Sequence, residues 1–219
     1  MQESVSIQPL LDQLFLLYTI NKFETGIKIT KLQKIIFLSQ SNGNEKGYQT
    51  CGFSFIRYKY GPFSKSIDEC INSLAESGLV KAAKIPQKEM DSQARITYPM
   101  MSAGNVVKLI KKLIKKNRSQ FAIFDRVIDH LRPLPINTIK TRVYQTLFQD
   151  VPIKDVPMHT ALIGRLPAHE IRHPFNISPE WIMTLEVLFN AESQQSIKEG
   201  LDDLRRGDVV KRGEFSESL

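Results

Sequence analysis

Cysteine and long hydrophobic runs are scarce in this chain of 219 residues, and each scarcity excludes a class of protein. The two cysteines, Cys51 and Cys70, lie far apart without metal-ligand spacing, which excludes a disulfide framework or a cysteine-based zinc site. The most apolar segment, Leu10 to Ile20, is shorter than the roughly 20 residues that a membrane-spanning helix needs. The N-terminus also lacks the basic and apolar regions of a signal peptide. The sequence therefore predicts a soluble cytoplasmic protein that makes no use of a membrane.

Recognised catalytic motifs are also scarce. The sequence contains no glycine-rich phosphate loop, no serine or cysteine placed beside a histidine at a known spacing, and no paired carboxylates in a known motif. We therefore expect a binding protein rather than an enzyme, and we predict no cofactor. Lysine and arginine outnumber aspartate and glutamate by 30 to 23, which gives a net charge of +7. This excess favours an anionic partner without specifying its kind.

The stretch from Ile29 to Val80 contains the most mutually consistent local signals. Thr30 and Gln33 form a capping box, which predicts a helix starting near Thr30, and the turn-forming residues 41–47 predict its end. Residues 53–60 have the aromatic and alternating composition of a strand, ended by Gly61 and Pro62. A second helix should then run from a Ser64 cap to Gly78.

Two motifs in this stretch carry a family resemblance. The sequence KLQK at Lys31 to Lys34, followed by IIF, and YGP at Tyr60 to Pro62, followed by a helix ending in SGLV, resemble the SocA-like family, also called the Panacea antitoxin domain. The resemblance covers about Leu10 to Lys116. It implies an antitoxin that binds and neutralises a partner toxin and is not an enzyme. The partner-binding surface would then be one basic, aromatic-flanked area formed by Lys31, Lys34, Arg57, Lys59, Tyr60, Gly61 and Pro62.

The order of elements predicts an α+β, mainly helical fold with a winged-helix-like N-terminal domain. A helix over 9–23 precedes the central unit, and two strands over 79–85 and 94–98 would form a small β-wing after it. We place this domain and its helical extension, with helices over 120–131 and 137–149, at residues 7–150. The helix before the wing exposes Asp68, Glu69 and Glu76, and this acidity opposes DNA binding through that helix.

The strongest basic feature is the amphipathic segment 106–118. Its apolar residues recur on one side, and its basic residues occupy the other: Lys108, Lys111, Lys112, Lys115, Lys116 and Arg118. A solvated surface helix is the simplest interpretation. An acidic protein surface or a nucleic acid are the alternatives, and a membrane surface is the weakest of them because no tryptophan or phenylalanine anchors the apolar face. The alternative to an antitoxin function is therefore a DNA-binding transcriptional regulator that binds its own promoter.

Residues 151–179 form a proline-rich arm in which we expect little regular structure. The arm contains the string His169, Glu170, Ile171, Arg172 and His173, which has the H-E-x-x-H spacing of zinc proteases. The flanking prolines leave barely one helical turn, whereas the zinc-protease helix is longer. A zinc metalloprotease therefore remains a remote alternative, and we predict no metal site.

Residues 180–219 form the C-terminal part. Ser178, Pro179 and Glu180 predict a helix start, and Gly200, with later glycines, is expected to break any long helix. From Glu192 onward, seven acidic residues outnumber five basic ones. The segment is similar to the toxin-wrapping tails of small bacterial antitoxins, which implies partner contacts at Leu201, Leu204, Val209 and Phe215. The sequence leaves open the identity of the toxin and whether the chain forms a homo-oligomer.

Overall fold

The computed structural model describes residues 6–81, 95–96 and 110–206. As the sequence predicts, the fold is α+β and mostly helical. The helices are α1 (Gln8–Asn21), α2 (Ile29–Glu45), α3 (Lys65–Glu76), α4 (described over 110–116), α5 (Arg118–Leu131), α6 (Ile136–Gln145), α7 (Pro179–Phe189) and α8 (Ala191–Arg206). The short strands are β1 (Ile27–Lys28), β2 (Phe55–Tyr58), β3 (Gly61–Phe63), β4 (Arg95–Ile96), β5 (Leu147–Phe148), β6 (Val151–Pro152) and β7 (Ala161–Ile163).

The core is built around α1, which is buried on nearly every side. The side chains of Leu11, Leu14 and Leu17 are fully buried, because α1 contacts α2, α3, α5 and α7. A helix that is apolar all round is stable only in such a position. Phe15 stacks on Phe124 of α5, with ring centroids 4.5 Å apart. The aromatic pair fixes α5 against the centre of the domain.

The proline-rich arm is folded over the domain and contributes a strand to it. The main sheet has the antiparallel order β3-β2-β7, with Arg57 opposite Pro62 and Phe55 opposite Ile163. The backbone N–H of Gln49 also donates to the carbonyl of His173 at 3.0 Å. The expectation of little regular structure is therefore wrong at Ala161–Ile163, where the free edge of β2 supplies hydrogen-bond partners that the sequence alone does not reveal.

The predicted start of α2 is confirmed, but its predicted cap and its predicted end need correction. The helix begins at Ile29, close to the predicted Thr30, but no side chain caps it, because Gln33 bonds to Ser64 instead. Its end lies at Glu45, within the segment predicted as a loop. Gly43 is buried against Thr50, where an added Cβ would lie 2.9 Å from the hydroxyl oxygen. Tertiary packing therefore overrides the weak helix propensity of this segment.

Three further predictions are corrected, and one is confirmed. Ser64 precedes α3, but its hydroxyl pairs with Ser66 instead of capping the helix. Residues Leu147 and Phe148 form β5 rather than the end of a helix, because Gln149 and Asp150 both have positive φ and make a tight hairpin turn to β6. Gly200 lies inside α8 and does not break it. Gly78 ends α3 with φ +67, as predicted.

Only part of the predicted wing lies in the described residues. Residues 82–94 and 97–109 are outside them, and Leu79–Lys81 are not in a strand. Strand β4 pairs antiparallel with β1, which places Ile96 opposite Ile27. The chain after α3 therefore returns to the start of α2.

Candidate functional site

The predicted basic area does not form one exposed surface. Lys34 is only 3% exposed, and its Nζ donates to the carbonyl oxygen of Pro62 at 2.6 Å. Arg57 is 9% exposed, and its Nε donates to the carbonyl oxygen of Ile153 at 2.8 Å. The guanidinium group also lies over the ring of Tyr144, 5.1 Å from its centroid. The assignment of Lys34 and Arg57 to a surface is therefore wrong, because both cations are directed inward at backbone carbonyls.

Burial changes the protonation of Lys34. Desolvation, together with the smaller effect of the positive charges of Lys140 and Arg57, lowers its pKa to about 7. Among the described residues, no carboxylate forms an ion pair with Lys34. The amine is consequently held in the fold near its point of half-protonation at neutral pH.

The two motifs that carry the family resemblance touch each other. Gln33 Nε2 donates to the carbonyl oxygen of Ser64 at 2.9 Å, and the backbone N–H of Ser64 donates to Gln33 Oε1 at 3.0 Å. With the Lys34 bond to Pro62, these contacts join α2 to the segment after the β2–β3 turn. Gly61 occupies that turn with φ +93, a conformation that favours glycine. Contacts between the two motifs therefore hold the β2–β3 hairpin against α2.

The remaining members of the predicted area are Lys31, Lys59 and Tyr60. Lys31 Nζ donates to the carbonyl oxygens of Arg132 at 2.7 Å and Leu134 at 3.2 Å, and partial burial lowers its pKa. Lys59 is exposed, and Tyr60 is 36% exposed with the Nζ of Lys59 5.7 Å from its ring centroid. The accessible part of the predicted area is thus reduced to the hairpin tip.

The basic helix has the orientation that its sequence predicts, as far as it is described. Ile110 and Leu113 are buried, whereas the basic residues of the segment are exposed: Lys111, Lys112, Lys115, Lys116 and Arg118. None of these five forms an ion pair within the part of the chain that the structure describes. Lys108 lies outside the described residues. Five solvated cations over eight residues therefore remain available to an anionic partner.

The histidine string of the arm is not on an α-helix. Ala168–Glu170 is a single 3-10 turn, in which His169 is exposed. The ring of His173 instead stacks on Tyr48, with centroids 4.2 Å apart. Across residues 6–81 and 110–206, no three histidine, cysteine, aspartate or glutamate side chains are grouped in a way that could hold a metal ion. The string thus lacks the geometry of the zinc-protease motif.

Helix α8 exposes an apolar stripe. None of its 16 residues is buried, and Ile197, Leu201 and Leu204 are 50%, 50% and 58% exposed. Their spacing of i, i+4 and i+7 aligns them on one face. The helix starts after Asn190, whose Oδ1 accepts a hydrogen bond from the backbone N–H of Ser193 at 2.9 Å. The other two tail residues in the prediction, Val209 and Phe215, lie outside the described residues.

Helix α7 adds exposed apolar surface next to α8 in the chain. Met183 is 66% exposed and Val187 is 38% exposed, and their i, i+4 spacing places them on one face of α7. Leu185 and Phe189 on the same helix are buried in the core. Helix α7 is therefore anchored to the domain and carries α8 outward from it.

A basic cavity that no sequence motif indicates lies between the end of α2 and the first turns of α5. Its lining includes Lys46, Tyr48, Ser119 and Arg126, together with Arg118. The recurrence of Ser119, Ala122, Ile123 and Arg126 at helical spacing is visible in the sequence, but their position opposite Lys46 follows only from the packing of α5 on α2.

Within the described residues, no helix is both long and apolar enough to cross a membrane. The chain matches no protein-family model, no curated protein and no solved structure.

Proposed function

We propose that this chain is an antitoxin-like protein that binds and neutralises a cognate protein toxin of a bacterial toxin–antitoxin pair. The observation that carries the proposal is that α8 has no buried residue and exposes an apolar stripe. The three side chains of the stripe have no core to enter, and their spacing is that of a helix which inserts into a hydrophobic groove of a partner protein.

Energetics support a partner for α8. Isolated helices of about this length are only marginally stable in water, and most helices of proteins gain stability by packing an apolar face. Full burial of an aliphatic side chain contributes roughly 1.5–3 kcal/mol, so burial of the half-exposed Ile197, Leu201 and Leu204 would contribute about 3 kcal/mol in total. This contribution is available only to a partner that covers the stripe.

The family resemblance supports the same function. The residues that resemble the SocA-like domain are brought into direct contact through Gln33 with Ser64 and Lys34 with Pro62. We further propose that the N-terminal part is winged-helix-like, with β4 returning to pair with β1 near the base of a wing. The exposed Glu69 and Glu76 of α3 make its surface acidic, which favours protein binding over DNA reading by that helix.

The test is co-expression with the adjacent gene in bacteria. The neighbour alone should stop growth, and the wild-type chain should restore it. The double variant L201Q/L204Q should fail to restore growth, because glutamine keeps size and helix propensity but removes the apolar surface. The matched control, Q195A/S196A, changes two exposed residues of α8 that lie off the stripe and should still rescue. A harmless neighbour, or rescue by L201Q/L204Q, would contradict the proposal.

The exposed cations of α4 favour DNA binding by a transcriptional regulator as the second candidate function. Binding of the chain's own promoter fragment should weaken steeply with salt and be lost when Lys111, Lys112, Lys115 and Lys116 are changed together to glutamine. Equal gel shifts by this variant and the wild type would exclude the helix as the DNA contact. The two functions are compatible, since an antitoxin can also repress its own promoter.

A further inference from the structure

We propose that the basic cavity between α2 and α5 binds the phosphate group of a nucleotide, either free or within a single-stranded nucleic acid. The cavity has a volume of about 310 Å³. This volume lies at the lower end of the range of small-ligand pockets, roughly 300–1,000 Å³. The proposal is independent of toxin binding by α8.

The charge of the cavity is the first reason. Lys46, Arg118 and Arg126 line it, and no acidic residue does. Across the described residues, none of these three side chains forms an ion pair or a hydrogen bond with another protein group. Like charges around one cavity repel each other unless an anion lies between them. The arrangement therefore favours a bound anion, and arginine is suited to phosphate because its guanidinium group can donate two parallel hydrogen bonds.

Two hydroxyl groups extend the set of donors. Ser119 and Tyr48 both line the cavity. Neither hydroxyl bonds to any of the protein groups that the structure describes. A hydroxyl can donate to a phosphate oxygen from a direction that the cationic side chains do not occupy. The cavity thus combines cationic and neutral donors, as phosphate sites do.

The position of Tyr48 points to a nucleotide rather than to a bare anion. Its ring stacks on His173 at 4.2 Å, and its backbone N–H donates to the carbonyl oxygen of Gly43 at 2.9 Å. The ring of Tyr48 is therefore held by stacking on His173, and its backbone is held by the hydrogen bond to Gly43. Aromatic rings beside basic groups bind nucleotides by stacking on the base while the cations bind the phosphate. Tyr48 supplies such an aromatic side chain to the cavity lining, and His173 stacks on its ring.

The cavity lies on rigid elements. Ser119, Ala122, Ile123 and Arg126 recur along one face of α5, and that helix is fixed to the core through Phe121 and Phe124. Opposite them, Lys46 and Tyr48 follow the end of α2, where Gly47 reverses the chain with φ +70. The backbone positions that carry the three cations are thus fixed before any ligand arrives, which limits the entropy lost on binding to that of the side chains.

The experiment measures binding of three probes to the full chain by titration calorimetry at two salt concentrations. The probes are inorganic phosphate, adenosine 5′-monophosphate and a ten-nucleotide oligo-dT. The wild type should bind at least one of the two nucleotide probes more tightly than inorganic phosphate. The variant R118Q/R126Q should lose affinity by at least tenfold and should have a smaller salt dependence. The variant Y48L should weaken the nucleotide probes by a larger factor than inorganic phosphate, because it removes the stacking ring as well as one hydroxyl donor.

The control variant K111Q/K112Q makes the same change of charge on α4, away from the cavity lining, and should retain cavity binding. An equal loss in the control and in R118Q/R126Q would show diffuse attraction to the basic helix and would overturn the proposal. Failure of the wild type to bind any probe would also overturn it. The thermal midpoint without ligand separates binding from folding, because R118Q/R126Q relieves repulsion and should not lower the midpoint.

Discussion

The buried amine of Lys34 gives the sharpest prediction about stability. In the unfolded chain its pKa should be near the usual 10.5, whereas burial and two neighbouring cations lower it to about 7 in the fold. The unfolded state therefore binds more protons than the folded state between pH 7 and pH 10.5. The free energy of unfolding should consequently rise with pH across this window, and the penalty from Lys34 should be fully present below pH 7.

The variant K34M isolates this effect because methionine keeps an unbranched side chain without the charge. The fall of the pKa from the usual 10.5 to about 7 corresponds to roughly 5 kcal/mol. Most of this penalty, roughly 3–4 kcal/mol, should disappear between pH 7 and pH 10. The lost hydrogen bond to Pro62 costs about 1–3 kcal/mol, but that cost is nearly independent of pH. The stability of K34M relative to the wild type should therefore decline as the pH rises.

The assay is urea unfolding of both proteins at pH 7, 8, 9 and 10. The difference between their free energies of unfolding should change by roughly 3–4 kcal/mol from the lowest to the highest pH, in favour of K34M at pH 7. The control K59M removes the same side-chain charge from the exposed tip of the β2–β3 hairpin. Parallel pH profiles for K34M and the wild type would refute the reasoning, because they would show that Lys34 binds protons equally in the folded and unfolded states.

Other contacts yield predictions that thermal or urea unfolding can check. Gln33→Ala should destabilise the fold by about 2–3 kcal/mol, because it leaves the buried N–H and carbonyl of Ser64 without partners; a loss no larger than that of the half-buried Gln13→Ala would contradict this. Gly61→Ala should cost about 1–2 kcal/mol through its left-handed backbone, and an unchanged midpoint would disprove the strain. Phe15→Ala should cost about 3–5 kcal/mol, and a loss below about 2 kcal/mol would show that the core collapses around the site.

Local signals predicted the helices well where one residue type decides the geometry. Pro9 and Pro179 mark the starts of α1 and α7, and Gly78 marks the end of α3. These predictions succeed because the fixed φ of proline and the positive φ of glycine act on the chain without help from distant residues.

The failures occur where distant residues decide. Gly43 stays helical because it packs against Thr50, and Ala161–Ile163 becomes a strand because β2 offers it an edge. The burial of Lys34 and Arg57 also depends on residues that are distant in the sequence. Their charges and spacing are those of a surface patch, but their backbone acceptors, the carbonyls of Pro62 and Ile153, come from other segments. Charge in a sequence indicates exposure only when no distant carbonyl is available.

This distinction changes what the family resemblance can be used to infer. The residue types of its two motifs are explained by contacts within the fold. Gln33 must both donate to and accept from Ser64, Lys34 must reach the carbonyl of Pro62, and Gly61 must turn with positive φ. A side chain that makes such contacts within the fold is not available to contact and select a partner protein. The motifs therefore explain the scaffold. Partner choice must come from residues that the scaffold leaves exposed, and among these the stripe on α8 aligns three half-exposed aliphatic side chains on one helix face.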